Sequence, residues 1–170
     1  MKLLLRPLQH NEPEEVYQLF QSIPAMEQGF DNPANGLSRS DFKKFIDKNI
    51  EWAQGIGLDK GYTSHTIYIF FVDNLPVGIS KIRTYSDNAL LKHGGHIGCA
   101  IAPNLRGKGY GSLLLRETIK ETHKKGIKEI LIGCYSNNQA SIRMIKKNGG
   151  VLKEQENNIS WFRIKSNDLH

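Results

Sequence analysis

One stretch near the middle of the chain restricts the fold more than any other. His96 to Ala102 is a run of apolar and small residues ending at Pro103. Arg106-Gly107-Lys108-Gly109-Tyr110-Gly111 follows, then a helical pattern from about Gly109 to Lys125 closed by Gly126. A helix that begins directly after a strand and a glycine-rich loop leaves its first backbone N–H groups unpaired and turns the positive end of its dipole outward. Gly107, Gly109 and Gly111 remove side chains that would hold an anion away from those amides, and Arg106 and Lys108 add positive charge. This spacing describes a phosphate cradle, although glycines also serve simple turn geometry. Register excludes two nucleotide folds. A P-loop needs Ser or Thr after Gly-Lys, where this chain has Gly109, and a Rossmann turn needs GxGxxG after a first strand, where this chain has GxGxG in mid-sequence.

The flanking segments supply the rest of a sheet. Lys2 to Arg6 reads as a strand, Asn11 as the cap of a helix through about Ser22 with Pro13 in its first turn, and Met26 to Leu37 as an irregular loop. Ser38 or Ser40 caps a second helix whose stripe is Phe42, Phe45, Ile46, Asn49, Ile50 and Ala53. Thr66 to Val72 and Leu75 to Arg83 form a hairpin about Asp73-Asn74. After the glycine loop come a strand over Ile127 to Tyr135 and a helix capped by Asn137 or Asn138 that ends at Gly149-Gly150. A hairpin of Val151 to Gln155 with Ile159 to Ile164 closes the chain. The order predicts an α+β fold, a central mixed and mostly antiparallel sheet flanked by helices, built as one domain over residues 1–170.

Hydrophobic residues at 39% allow a real core, and no apolar run approaches the roughly 18 residues of a membrane helix. The opening residues are too short for a signal peptide, so a cytoplasmic protein is expected. Cys99 and Cys134 stand far apart without CxxC spacing and read as buried thiols, with no metal site. A net charge of +6 suits an anionic ligand. The lysines are scattered rather than interleaved with aromatics, which favours a polyanionic small molecule over nucleic acid.

Arg106, Gly109 and Gly111 fit the pattern Arg or Gln, two residues, Gly, one residue, Gly or Ala. Ile97-Gly98-Cys99-Ala100-Ile101-Ala102-Pro103 fits the strand before it, and Asn138, Ala140, Ser141 and Lys147-Asn148-Gly149-Gly150 fit a second block. Together they resemble the GNAT acetyltransferase family. The resemblance is specific from about Leu75 to Leu152 and elsewhere covers only element order. The string Gly94-Gly95-His96-Ile97-Gly98, with Arg83 before it, is similar to a bacterial subgroup known as predicted acetyltransferases. The resemblance implies the GNAT fold and acetyl-CoA as co-substrate. Backbone groups of Cys99, Ala100 and Ile101 would meet the pantetheine arm, amides from Gly107 to Ser112, Tyr110 included, would hold the pyrophosphate, and Asn138 would touch the pantetheine.

Acetyl transfer to an amine needs a proton acceptor, a donor to the thioester oxygen and a proton for the leaving thiolate. The resemblance puts the base at or beside Gly95-His96, which makes His96 the catalytic candidate and His93 the second choice; the alternative is a surface or packing histidine. A backbone amide near Cys99 or Ala100 is the expected oxyanion donor. The family's acid tyrosine aligns with Ile145, so the acid is unassigned, with Tyr110 and Tyr135 as available hydroxyls. Arg83, at a strand end before the polar loop 84–93, is the candidate to hold a substrate carboxylate; the alternative is a solvated arginine. The function expected is N-acetylation of a small-molecule, amino-acid or peptide amine. The competing readings are a protein-directed enzyme, a non-catalytic acyl-CoA sensor and a nucleic-acid-binding module. The partners expected are the amine and a second copy of the chain, with no nucleic acid and no membrane.

Overall fold

A computed structural model describes residues 1–58, 64–84 and 94–166. In chain order they form β1 (Leu3–Pro7), α1 (Glu14–Ser22), β2 (Met26–Glu27), β3 (Phe30–Asp31), α2 (Arg39–Ala53), β4 (His65–Val72), β5 (Leu75–Arg83) and β6 (Ile97–Ile101). A 3₁₀ turn (Pro103–Leu105) leads to α3 (Tyr110–Lys124), β7 (Glu129–Tyr135), α4 (Gln139–Lys147), β8 (Val151–Glu156) and β9 (Ile159–Lys165).

Alternation along the strands, offset once on β5 at Val77 by the register shift between Phe70 and Phe71, decides which helix each face receives. Ile67, Ile69, Phe71 and Ile79 point to one face and are covered by Val16, Leu19 and Phe20 of α1 and Phe42 and Ile46 of α2. Phe70, Val72, Val77 and Ile101 point to the other and are covered by Leu114 of α3. The neighbouring Leu115 serves a further core with Ile97, Ile130, Ile132, Ile145, Phe162 and Ile164. One helix thus seals two groups of strands.

Those groups are separate sheets. The first runs β1-β4-β5-β6 and the second β7-β9-β8, and every ladder among the described residues is antiparallel. Among the described residues their backbones meet at one bridge, Gly95 opposite Ile132, flanked by His96 N donating to Leu131 O at 2.7 Å and Gly133 N to Gly94 O at 2.9 Å. Gly95 has φ +95°, and a Cβ there would strike Leu131 O, so this crossing needs glycine. Beyond it β6 and β7 diverge.

The turns at Asp73-Asn74 and Asn157-Asn158 have positive φ at both residues, as two-residue hairpins require. Two local expectations are corrected, and of the two serines offered for α2 one is the cap. α1 starts later than expected, with Pro13 at the cap position and no side-chain cap, so Asn11 does not cap it. Ser38 caps α2 by accepting from Asp41 N at 3.1 Å. The segment expected as an irregular loop contains the β2–β3 hairpin, with Met26 opposite Asp31 and Glu27 opposite Phe30. Two-residue strands carry no periodicity to read.

Candidate active site

Where β6 leaves β7, a cleft of about 370 Å³ opens between the β2–β3 hairpin, the end of β6, the glycine loop and the start of α4. Phe30, Cys99, Ala100, Ile101, Arg106, Gly107, Gly109, Tyr110, Gly111, Ser112, Asn138 and Met144 are among its lining residues. Lys108 is exposed and outside that lining.

The floor is an unpaired strand edge. Arg83 N donates to His96 O and Ala102 N to Val77 O, so the even-numbered residues of this strand turn their backbone groups toward β5. By the antiparallel alternation, Ile97, Cys99 and Ile101 turn theirs toward the cleft. Ala100 is the exception to the expected set: its backbone belongs to the ladder, and its side chain packs in the core under α1 and α2. Ile101 O accepts from Arg106 Nε at 3.1 Å.

At the end of that edge lies a ring of donors. Among the described residues, no backbone acceptor meets the amides of 107–112, and the first to find one is Leu113 N, on Gly109 O at 3.3 Å. Gly109 holds the turn as the cap of α3 with φ +82°, which an L side chain rarely adopts. Gly111 is glycine for another reason. A Cβ there would stand 3.1 Å from Met144 Sδ, so the residue sets the approach of α3 to α4. Asn148 ties the same helices by donating to Ser112 O and Oγ, each at 3.2 Å. Arg106 is salt-bridged to Glu27 of the hairpin, which ties the β2–β3 hairpin to the glycine loop.

Asn138 caps α4, its Oδ1 accepting from Ser141 N at 3.2 Å. Burial pushes the Cys99 thiol up to about 12 against weaker opposite pulls from Thr118 and Arg83, so it is a protonated packing group. His96 is 7% exposed, and its Nδ1 accepts from Leu131 N at 2.9 Å. A neutral imidazole has one lone pair, and here it fastens β6 to β7; the ring can take a proton only by surrendering that bond. Ile145 is 1% exposed within the core shared with Ile97 and Ile132, away from the cleft lining. Of the two hydroxyls, Tyr110 lines the cleft, and Tyr135 is 42% exposed with its ring against Gly29. The residues 85–93, including His93, lie outside the described residues. Sequence reasoning missed Glu27 and Phe30, which line the cleft from a hairpin too short to read.

A family model described as acetyltransferase (GNAT) domain matches residues 2–151. No curated protein matches the sequence. Among solved structures, the chain is similar to RimL, a ribosomal L7/L12 alpha-N-protein acetyltransferase solved with coenzyme A. That match has 22% identity over 96% of this chain and 93% of that one, with a TM-score of 0.69. It is also similar to the N-acetyltransferase PseH of Campylobacter jejuni solved with acetyl coenzyme A, at 14% identity over 98% and 100% of the two chains, TM-score 0.64. A third is the Salmonella typhimurium acetyl transferase that modifies the N-terminal serine of L7/L12, at 20% identity over 97% and 95%, TM-score 0.66. At these identities the likeness is one of fold.

Proposed function

The chain belongs to the GNAT acetyltransferase family, and on that premise we propose that it moves the acetyl group of acetyl-CoA to a primary amine of a small molecule, amino acid or peptide. The observation that carries this reading is the unpaired edge of β6 running into the unpaired amides of 107–112. An extended chain of amides ending in a pyrophosphate has the shape and the acceptors to complete both, which an open strand edge and a helix N-terminus otherwise leave to water.

In this reading the amides of 107–112 with Arg106 hold the pyrophosphate, the edge groups of Cys99 and Ile101 pair with the pantetheine, and Asn138 meets it from α4. Tyr110 and Ser112 wall the same channel. Transfer breaks the C–S bond of the thioester and forms a C–N bond to the amine. The Cys99 N–H, which the strand turns toward the cleft, serves in this reading as donor to the carbonyl oxygen as charge gathers there. The amine's proton goes to solvent, since the His96 lone pair is engaged, and the thiolate takes a proton from the same source. Arg83 faces the acceptor.

The test is thiol release from acetyl-CoA across a panel of amines, with the acetylated product identified by mass. Turnover of at least one amine is expected. Coenzyme A binding without turnover on any amine, peptide N-termini included, would convert the assignment to an acyl-CoA sensor.

A further inference from the structure

Two cations on β5 have no part in the coenzyme cradle. Alternation places Lys81 and Arg83 on the same face as Ile79, the face toward α1 and α2. Both bear on Gly98 of β6. Lys81 is its cross-strand partner, and the Arg83 guanidinium lies 3.4 Å from where a Cβ would stand, with the Phe30 ring edge at 3.6 Å. Arg83 is fixed there by donating to Gly95 O at 3.2 Å. The Lys81 ammonium sits 4.9 Å from the Phe30 ring centroid and donates to the backbone carbonyl of Asp31. Among the described residues it meets no carboxylate within ion-pair distance. Phe30 also lines the coenzyme cleft, whose lining on β6 runs from Ile101 to Cys99, so the pair stands at Gly98, one residue beyond that lining.

An ammonium in this position is held at a cost. Burial first, and then the charge of Arg83, push Lys81 down to about 8, with Asp31 pulling the other way. Among the described residues, the charged groups that face it are Arg83 on its own strand and Asp31 on β3; its cross-strand partners, Gly98 on β6 and Ile67 on β4, carry none. An anion seated against this ammonium relieves its desolvation and the repulsion it feels from Arg83.

We propose that Lys81 and Arg83 form an anion seat beside the acetyl group, so that the acceptor is an amine that itself carries a carboxylate or a phosphate, with Lys81 as a specificity-determining residue. This rests on the acetyl-transfer reading of the neighbouring cleft. It requires no new chemistry: the anion is held while the amine nitrogen attacks.

The test uses matched acceptors: amino acids against their amides, and phosphoethanolamine against ethanolamine. Wild-type kcat/KM is expected to favour the anionic member of a pair by about 10- to 100-fold, the range of one or two charge-assisted hydrogen bonds. Lys81→Met and Arg83→Gln should bring that ratio close to one, and Lys81→Arg should restore it. Because the ratio is taken within one protein, partial unfolding cancels. In wild type the ratio should decline as pH rises through about 8 and the ammonium discharges, whereas in Lys81→Arg it should stay flat. Which pair responds separates a carboxylate seat from a phosphate seat. Turnover with no preference for either anion, or a preference that survives both charge-removing variants, overturns the seat and leaves acetyl transfer standing. Coenzyme A binding with no turnover of any amine overturns both.

Discussion

Cys99 lines the cleft, yet burial keeps its thiol protonated far above neutrality. Alkylation by iodoacetamide requires the thiolate, so at pH 8 this cysteine should react on the order of 100-fold more slowly in the native protein than in urea, measured by peptide mass spectrometry. A native rate equal to the unfolded one would mean an activated thiol. The same contrast between residue type and surroundings governs His96. Removing it as His96→Ala leaves Leu131 N–H buried without its acceptor, which costs about 1–3 kcal/mol. The urea midpoint should fall accordingly while the pH profile of acetyl transfer keeps its shape. Cys99 was legible as a small buried thiol because nothing near it in sequence supplies a base. His96 was not legible, because the partner that engages its lone pair is 35 residues away in the chain, on β7.

Among the elements, α4 does two things at its first turn. Asn138 caps the helix with its carbonyl oxygen and lines the cleft. Asn138→Ala should lower stability by about 1 kcal/mol through the lost cap and weaken coenzyme A binding as well. Asn138→Asp separates the two: it keeps a cap acceptor and lacks the amide donor, so a normal melting temperature with weakened binding in calorimetry is expected. The helix was legible from Asn138 and the closing glycines. Its far end was not, because Asn138 and Ile145 are seven residues apart, nearly two turns, and spacing alone puts both on one face. The structure buries Ile145 against Ile97 and Ile132, and a Cβ on Gly150 would collide with it. A long α-to-α connection that closes on itself as β2–β3 was likewise hidden, because its register is set by contacts across the fold.

At the scale of the molecule, two sheets share one bridging helix and one crossing point. Strand positions and the glycine loop were legible from alternation and turn residues. The division of the sheet was not, since β6 looks like any interior strand in its own sequence. A ligand that binds only the folded cleft adds its binding free energy to stability, about 2.7 kcal/mol at a hundred times its Kd. For a chain of this size that corresponds to a melting temperature raised by roughly 5–10 °C with coenzyme A, by differential scanning fluorimetry.

The parting of β6 from β7 also bears on hydrogen exchange. The amides of Ile97, Cys99 and Ile101 face the gap and lack a ladder partner, while those of Gly98 and Ala100 belong to the pairing with β5. In heavy water the two sets should separate: alternate residues of one short strand exchange quickly and slowly, as on a sheet's outer border. Added coenzyme A should slow the fast set and leave the slow set unchanged, which amide-resolved NMR would follow. A strand in the interior of the sequence and of the fold thus carries, toward solvent deuterium, the signature of a border.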